Sequence, residues 1–126
     1  MAITTEQVLK AHAALQNLVK ADSDNKYVFK TAVRFKLAQN LRKTTPIQED
    51  VDKERNNLIL KFGSQDEKGN TIVKPENIQA FSDGIKSLLA VPVDVTFNVI
   101  KLEELGENQV ALDLLAALIE FGILTE

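Results

Sequence analysis

The chain has 126 residues, with 15 Lys and Arg against 18 Asp and Glu, one His and no Cys. Its length suits one domain spanning residues 1–126, and 44% apolar with 26% charged residues is ordinary for a globular fold. The missing cysteines exclude disulfides, thiolate metal sites and a Cys nucleophile, and the longest apolar run, Leu114–Ile119, falls far short of the ~20 residues of a membrane span.

Thr4 and Gln7 form a capping-box pattern that opens a first helix. Val8, Ala11/His12, Leu15 and Leu18/Val19 then recur at helical spacing. Asp22-Ser23-Asp24-Asn25, side chains that bond local backbone, should stop it near Ala21. A second helix is expected from about Lys26 to Lys43, with Phe29, Ala32/Val33, Leu37 and Leu41 on one face. Thr45-Pro46 reads as a cap followed by a first helical position, with Gln48 completing a second capping box. The third helix so opened carries Ile47, Val51, Leu58 and Phe62 and should end at Gly63 in a left-handed conformation.

Asp66–Asn70 is a turn and Thr71-Ile72-Val73 a short strand. Pro75 can open a fourth helix with Ile78, Phe81, Ile85 and Leu88/Leu89 inward, and Pro92 ends it; Gly84 inside it costs about 1 kcal/mol against Ala. Alternation from Val93 to Ile100 gives the clearest strand. A last helix, about Asn108 to Phe121 and closed by Gly122, is apolar around nearly its whole circumference. The expected fold is therefore mainly α (α+β). It has about five helices beginning with an N-terminal antiparallel hairpin or bundle, one strand at 93–100 and a short one at 71–73.

Catalytic chemistry finds little support. His12 has no carboxylate or nucleophile partner at helical spacing, and none of Ser23, Ser64, Ser82 and Ser87 stands in a G-x-S-x-G elbow. Asp22-Ser23-Asp24-Asn25 starts like a calcium loop, but Tyr27 and Val33 stand where Gly and Glu are needed. The glycines are scattered singly, so no phosphate cradle forms. Asp50 and Glu54, in the acidic stretch from Glu49, share a helical face; complementing the helix dipole explains them more simply than a cation site. No enzyme activity, cofactor or metal is expected.

Charge layout is more informative. Residues 1–43 carry eight basic and three acidic side chains; residues 102–126 carry six acids and no Lys or Arg. Lys26, Lys30 and Arg34 recur at four-residue steps, which would place them on one helical face. Three readings follow: a basic helix packed on acidic neighbours, head-to-tail association of the two oppositely charged ends, or binding of phosphate backbones. The last is disfavoured by overall acidity and by few aromatics for base stacking. A helix apolar all round needs more cover than four others can give, so Leu112, Leu115, Ile119 and Phe121 join the three cations as candidate contact residues. No basic-then-apolar signal opens the chain, so a non-secreted protein is expected.

The order Phe29-Lys30 to Leu41-Arg42-Lys43, Glu54-Arg55-Asn56-Asn57-Leu58 to Lys61-Phe62-Gly63, Asp66–Asn70, Pro75-Glu76-Asn77, Val93-Asp94-Val95 and Ile100-Lys101-Leu102 spans roughly residues 26–120. It resembles a group of small, mostly uncharacterised proteins encoded by bacteriophages and prophages. That resemblance implies a phage protein in the host bacterial cytoplasm or the virion, without a catalytic site to transfer. The expected function is non-enzymatic: a small virion structural or assembly component that self-associates or docks on a larger phage assembly. The other reading is a small inhibitor or regulator of a host enzyme, defence protein or nucleic acid.

Overall fold

A computed structural model describes residues 2–106 and 108–125. The order is β1 (Ala2–Thr4), α1 (Thr5–Ser23), α2 (Thr31–Phe62), β2 (Gly63–Gln65), β3 (Thr71–Val73), α3 (Pro75–Leu89), β4 (Pro92–Asp94), β5 (Ile100–Lys101), a 3-10 turn at Leu102–Leu105, α4 (Leu112–Glu120) and β6 (Leu124–Thr125). The protein is mainly helical, with four α-helices among the described residues rather than five. The strands form three two-stranded sheets: antiparallel β1–β4 and β2–β3, and parallel β5–β6.

The first helix forms as its cap dictates. Thr4 N–H donates to Gln7 Oε1 at 2.9 Å and Gln7 N–H to Thr4 Oγ1 at 3.3 Å, which satisfies two orphan donors. Val8, Ala11, His12, Leu15 and Leu18 are buried, as their spacing predicts. The helix ends two residues later than expected, and Asn25 takes a left-handed φ of 62° that an Asn tolerates better than most residues.

The second and third expected helices are one. α2 runs 32 residues, straight through Pro46. Pro46 has no N–H for the Arg42 carbonyl, a defect that costs about 3 kcal/mol in a helix interior. The Thr45 hydroxyl, expected to cap a new helix, instead donates back to Leu41 O at 2.8 Å, and Thr44 does the same at 3.0 Å. What carries the helix across is a continuous buried stripe, Val33, Leu37, Asn40, Thr44 and Val51. Two of its members are polar, so counting apolar residues alone breaks the stripe at the point where the proline falls.

α2 also starts later than expected, at Thr31: Lys26 is a bend, residues 27–30 lie outside any helix, and Lys30 is extended with φ −66° and ψ 153°. Tyr27 and Phe29 point inward, with ring centroids 5.1 Å apart, while Lys26, Val28 and Lys30 point out. At about 1.5 Å per residue α2 is about 48 Å long. α1 lies antiparallel along its first part, as Asp22 beside Arg34 and His12 beside Thr44 require. The N-terminal hairpin is thus present.

α3 accompanies the far half of α2. Gly84 is the contact point: a Cβ there would lie 2.8 Å from Leu58 Cδ2, so its low helix propensity is offset by close packing. α3 begins at Pro75 as expected but has no fully buried residue. Gly63 is not left-handed; its φ is −85°, and it is needed because a Cβ would collide with the Ile59 carbonyl.

The expected strand over 93–100 is present only at its ends, as β4 and β5. Between them, side chains of α2 replace a neighbouring strand. Asn40, fully buried, donates from Nδ2 to Asn98 O at 2.9 Å and accepts from Asn98 N–H at 2.7 Å, and Lys43 Nζ donates to Thr96 O at 2.6 Å. The alternation has its physical basis, with Val95 half-buried and Phe97 buried, but no ladder runs beside it. The strand at 71–73 forms as β3, paired with β2.

The core gathers Ala11, Ala14, Leu15 and Leu18 of α1, Tyr27 and Phe29, Val33 and Leu37 of α2, and Phe97, Ile100, Leu105, Leu118, Phe121, Ile123 and Leu124. His12, 4% exposed, sits between α1 and α2 with Nδ1 2.8 Å from Thr44 Oγ1. A Thr44 hydroxyl that donates to Leu41 O must accept from the ring, which assigns the proton to Nδ1.

Two outcomes follow from these buried polar contacts. Asn40→Ala should destabilise the fold by about 2–4 kcal/mol in denaturant unfolding, because it leaves both backbone groups of Asn98 without their partner. Burial also lowers the His12 pKa, with the Asp52 charge opposing in part. The folded protein therefore binds fewer protons here than the unfolded chain. This contribution should be constant above about pH 7.5 and lost as pH falls through about 6.5 toward the lower folded value. Unfolding curves measured across that window should flatten in His12→Asn, whose amide reaches the position of Nδ1.

Candidate functional site

The last quarter of the chain builds a groove. α4 does not begin at Asn108, because that side chain is used elsewhere. Its Oδ1 accepts from Val28 N–H at 2.7 Å, and its Nδ2 donates to Val28 O at 3.0 Å and Leu105 O at 2.7 Å. The amide thus stands in for a strand beside residue 28 and delays the helix to Leu112. At the other end the helix stops as expected. Gly122 is left-handed with φ 74°, its N–H donates to Ile119 O at 3.1 Å, and Ile123 N–H donates to Leu118 O at 2.9 Å. This double closure turns the chain so that β6 lies against β5, with Ile100 N–H donating to Ile123 O at 2.7 Å.

The turn leaves an open groove of about 720 Å³ lined by Val99, Leu102, Ile119, Gly122, Leu124 and Thr125. Val99, Leu102 and Ile119 are exposed apolar side chains. Leu112, seven residues before Ile119, continues its face of α4. The four apolar residues singled out on this helix are therefore divided. Phe121 is in the core, Leu115 is half-buried, and Leu112 and Ile119 stand 81% and 58% exposed. Asp113 and Glu120 repeat the same seven-residue step beside them, both exposed.

The three cations do not share a helical face. Lys26 and Lys30 lie in the extended segment before α2, on the same side as Val28, which is 82% exposed. Arg34 is on α2, where its Nε lies 2.9 Å from Asp22 Oδ2. Lys36 pairs with Glu104 at 3.2 Å. Glu104 is held below the usual carboxylate range, mainly by the Lys101 backbone N–H and then by Lys36. Part of the basic cluster thus packs on acids of its own chain, while among the described residues neither Lys26 nor Lys30 makes an ion pair.

Nothing assembles around the acidic stretch of α2: Asp52 accepts a hydrogen bond from Gln48 at 3.0 Å, and among the described residues no group of three metal-ligating side chains converges. No helix among them is long and apolar enough to cross a membrane. Sequence reasoning missed Val28, Val99 and Leu102. The signal for Val28 was available in the alternation Lys26-Tyr27-Val28-Phe29-Lys30, whose two aromatic members claim the inside of an extended segment. Val99 and Leu102 had none, since the inward phase reverses between Phe97 and Ile100.

Comparison with family models, curated proteins and solved structures finds no match to this chain.

The division of α4 into a buried and an open face is measurable. Leu118→Ala should cost about 2–5 kcal/mol of stability, and Leu112→Ala should stay within about 0.5 kcal/mol, in the same chemical denaturation experiment.

Proposed function

We propose that this chain is a non-enzymatic phage protein that acts through protein–protein contacts, as a small virion structural or assembly component that self-associates or docks on a larger assembly. The observation that carries the reading is the open apolar groove between β5, β6 and α4, with Leu112 extending the α4 face. Exposed apolar side chains grouped around one groove exclude little water from themselves, and covering them with another protein surface is favourable by about 25 cal/mol per Å² of apolar area. The absence of membrane-spanning length in the described helices agrees with a partner met in water or within a particle.

The resemblance to small phage and prophage proteins supplies the biological setting: the host bacterial cytoplasm or the virion. Docking on a protein would need no conserved chemistry at the groove, only shape and apolar area, and the groove supplies both. Phosphate-backbone binding has less support, because Arg34 and Lys36 are engaged by Asp22 and Glu104.

Light scattering tests the reading. The unmodified chain should scatter above the 14.0 kDa of one copy at micromolar concentration, alone or with its phage partner. Leu102→Asp/Ile119→Asp, which puts two charges into the groove without touching the core, should reduce it to a single copy with unchanged thermal unfolding. Assembly unaffected by that pair of substitutions would refute the groove as the contact surface.

A further inference from the structure

We propose that the occupant of the groove is the extended segment Lys26–Lys30 of a second copy of this chain. The inference rests on the reading of the groove as a contact surface and adds its partner. Two observations point to it: the chemistry of the segment and the spacing of its charges.

The segment is a short extended stretch whose outer side reads cation, apolar, cation. Tyr27 and Phe29 anchor it to the core, the Asn108 amide holds the backbone at Val28, and Lys26, Val28 and Lys30 project outward. An anchored segment of this kind has already lost its backbone freedom, so docking it costs little further entropy. The open face of α4 carries the opposite charge. Leu112 and Ile119 form its apolar stripe, and Asp113 and Glu120 form an acidic row beside it.

The dimensions agree. Four residue steps separate Lys26 from Lys30, at most about 13 Å along an extended chain. Seven residues of helix separate Asp113 from Glu120 by about 10.5 Å. Two flexible lysine stems cover the difference. In the docked arrangement Val28 enters the groove between Leu102 and Ile119, while the two ammonium groups reach toward the two exposed carboxylates of α4. Within one subunit none of these four charged groups makes an ion pair with another described residue, so the pairing is available to a second copy. The apolar tooth supplies the affinity, and the charges, on the wet margin, fix direction and register.

Charge exchange followed by sedimentation velocity decides the matter. Lys26→Glu/Lys30→Glu should weaken self-association at least about tenfold. Adding Asp113→Lys/Glu120→Lys to the same chain should restore it, because the reversed pairs attract again. Raising the salt from about 0.1 to about 1 M, which shortens the Debye length from about 10 to about 3 Å, should weaken the unmodified assembly. All four positions are exposed, so the folded subunit is expected to survive each exchange. Association lost in Leu102→Asp/Ile119→Asp but kept in Lys26→Glu/Lys30→Glu would overturn the segment as occupant and leave the groove reading standing. An unmodified chain that sediments as a single copy at every concentration would overturn the second copy as partner.

Discussion

A fully buried asparagine amide sets the layout of this protein. Asn40 bonds both backbone groups of Asn98 from the inner face of α2, and an unpaired amide or an unpaired peptide at that depth would each cost a kilocalorie or more. The requirement holds α2 and the 95–99 segment in one register. It also places Lys43 to cap Thr96 O and Gln39 to accept from the Asn98 amide. Asn108 does the same work at Val28. Two extended segments are therefore held by side-chain amides rather than by neighbouring strands, which is why so little of the chain forms sheet.

The same device governs where apolar surface ends up. Because Asn108 is committed to Val28, α4 is shortened to nine residues, and its sequence, apolar except at Asp113 and Glu120, is covered on one side only. Leu118 and Phe121 reach the core while Leu112 and Ile119 remain in the open. The double closure at Gly122 then returns the chain beside β5 and completes the groove wall. The open groove is thus a by-product of polar groups finding partners, and the contact function proposed for it follows from what that arrangement leaves uncovered.

Local signals were legible where one residue type has one strong reason to be where it is. The Thr4–Gln7 box, Pro75 at the start of α3, the Asp66–Asn70 turn and Gly122 at the end of α4 all act within a few residues of themselves. Long-range polar pairing was not legible. Thr45-Pro46 has the form of a helix start, and only the buried Asn40 and Thr44 on the α2 stripe show why the helix continues. The 93–100 alternation correctly marks Val95 and Phe97 as inward, yet whether such a segment joins a sheet depends on which neighbour arrives, here a helix. Of the candidate contact residues, Leu112 and Ile119 are exposed, as expected where a short chain cannot cover a helix on all sides. Phe121 was misplaced because the turn after α4 folds it back into the core.

If the groove beside α4 is a contact surface, it is covered when the protein is assembled. Hydrogen–deuterium exchange of the Val99–Leu102 and Gly122–Thr125 amides, followed as the concentration of the unmodified chain is raised, measures this directly. Exchange in these two segments should slow as assembly proceeds, with the α1–α2 interface unchanged. Exchange in both segments that is independent of concentration would contradict it.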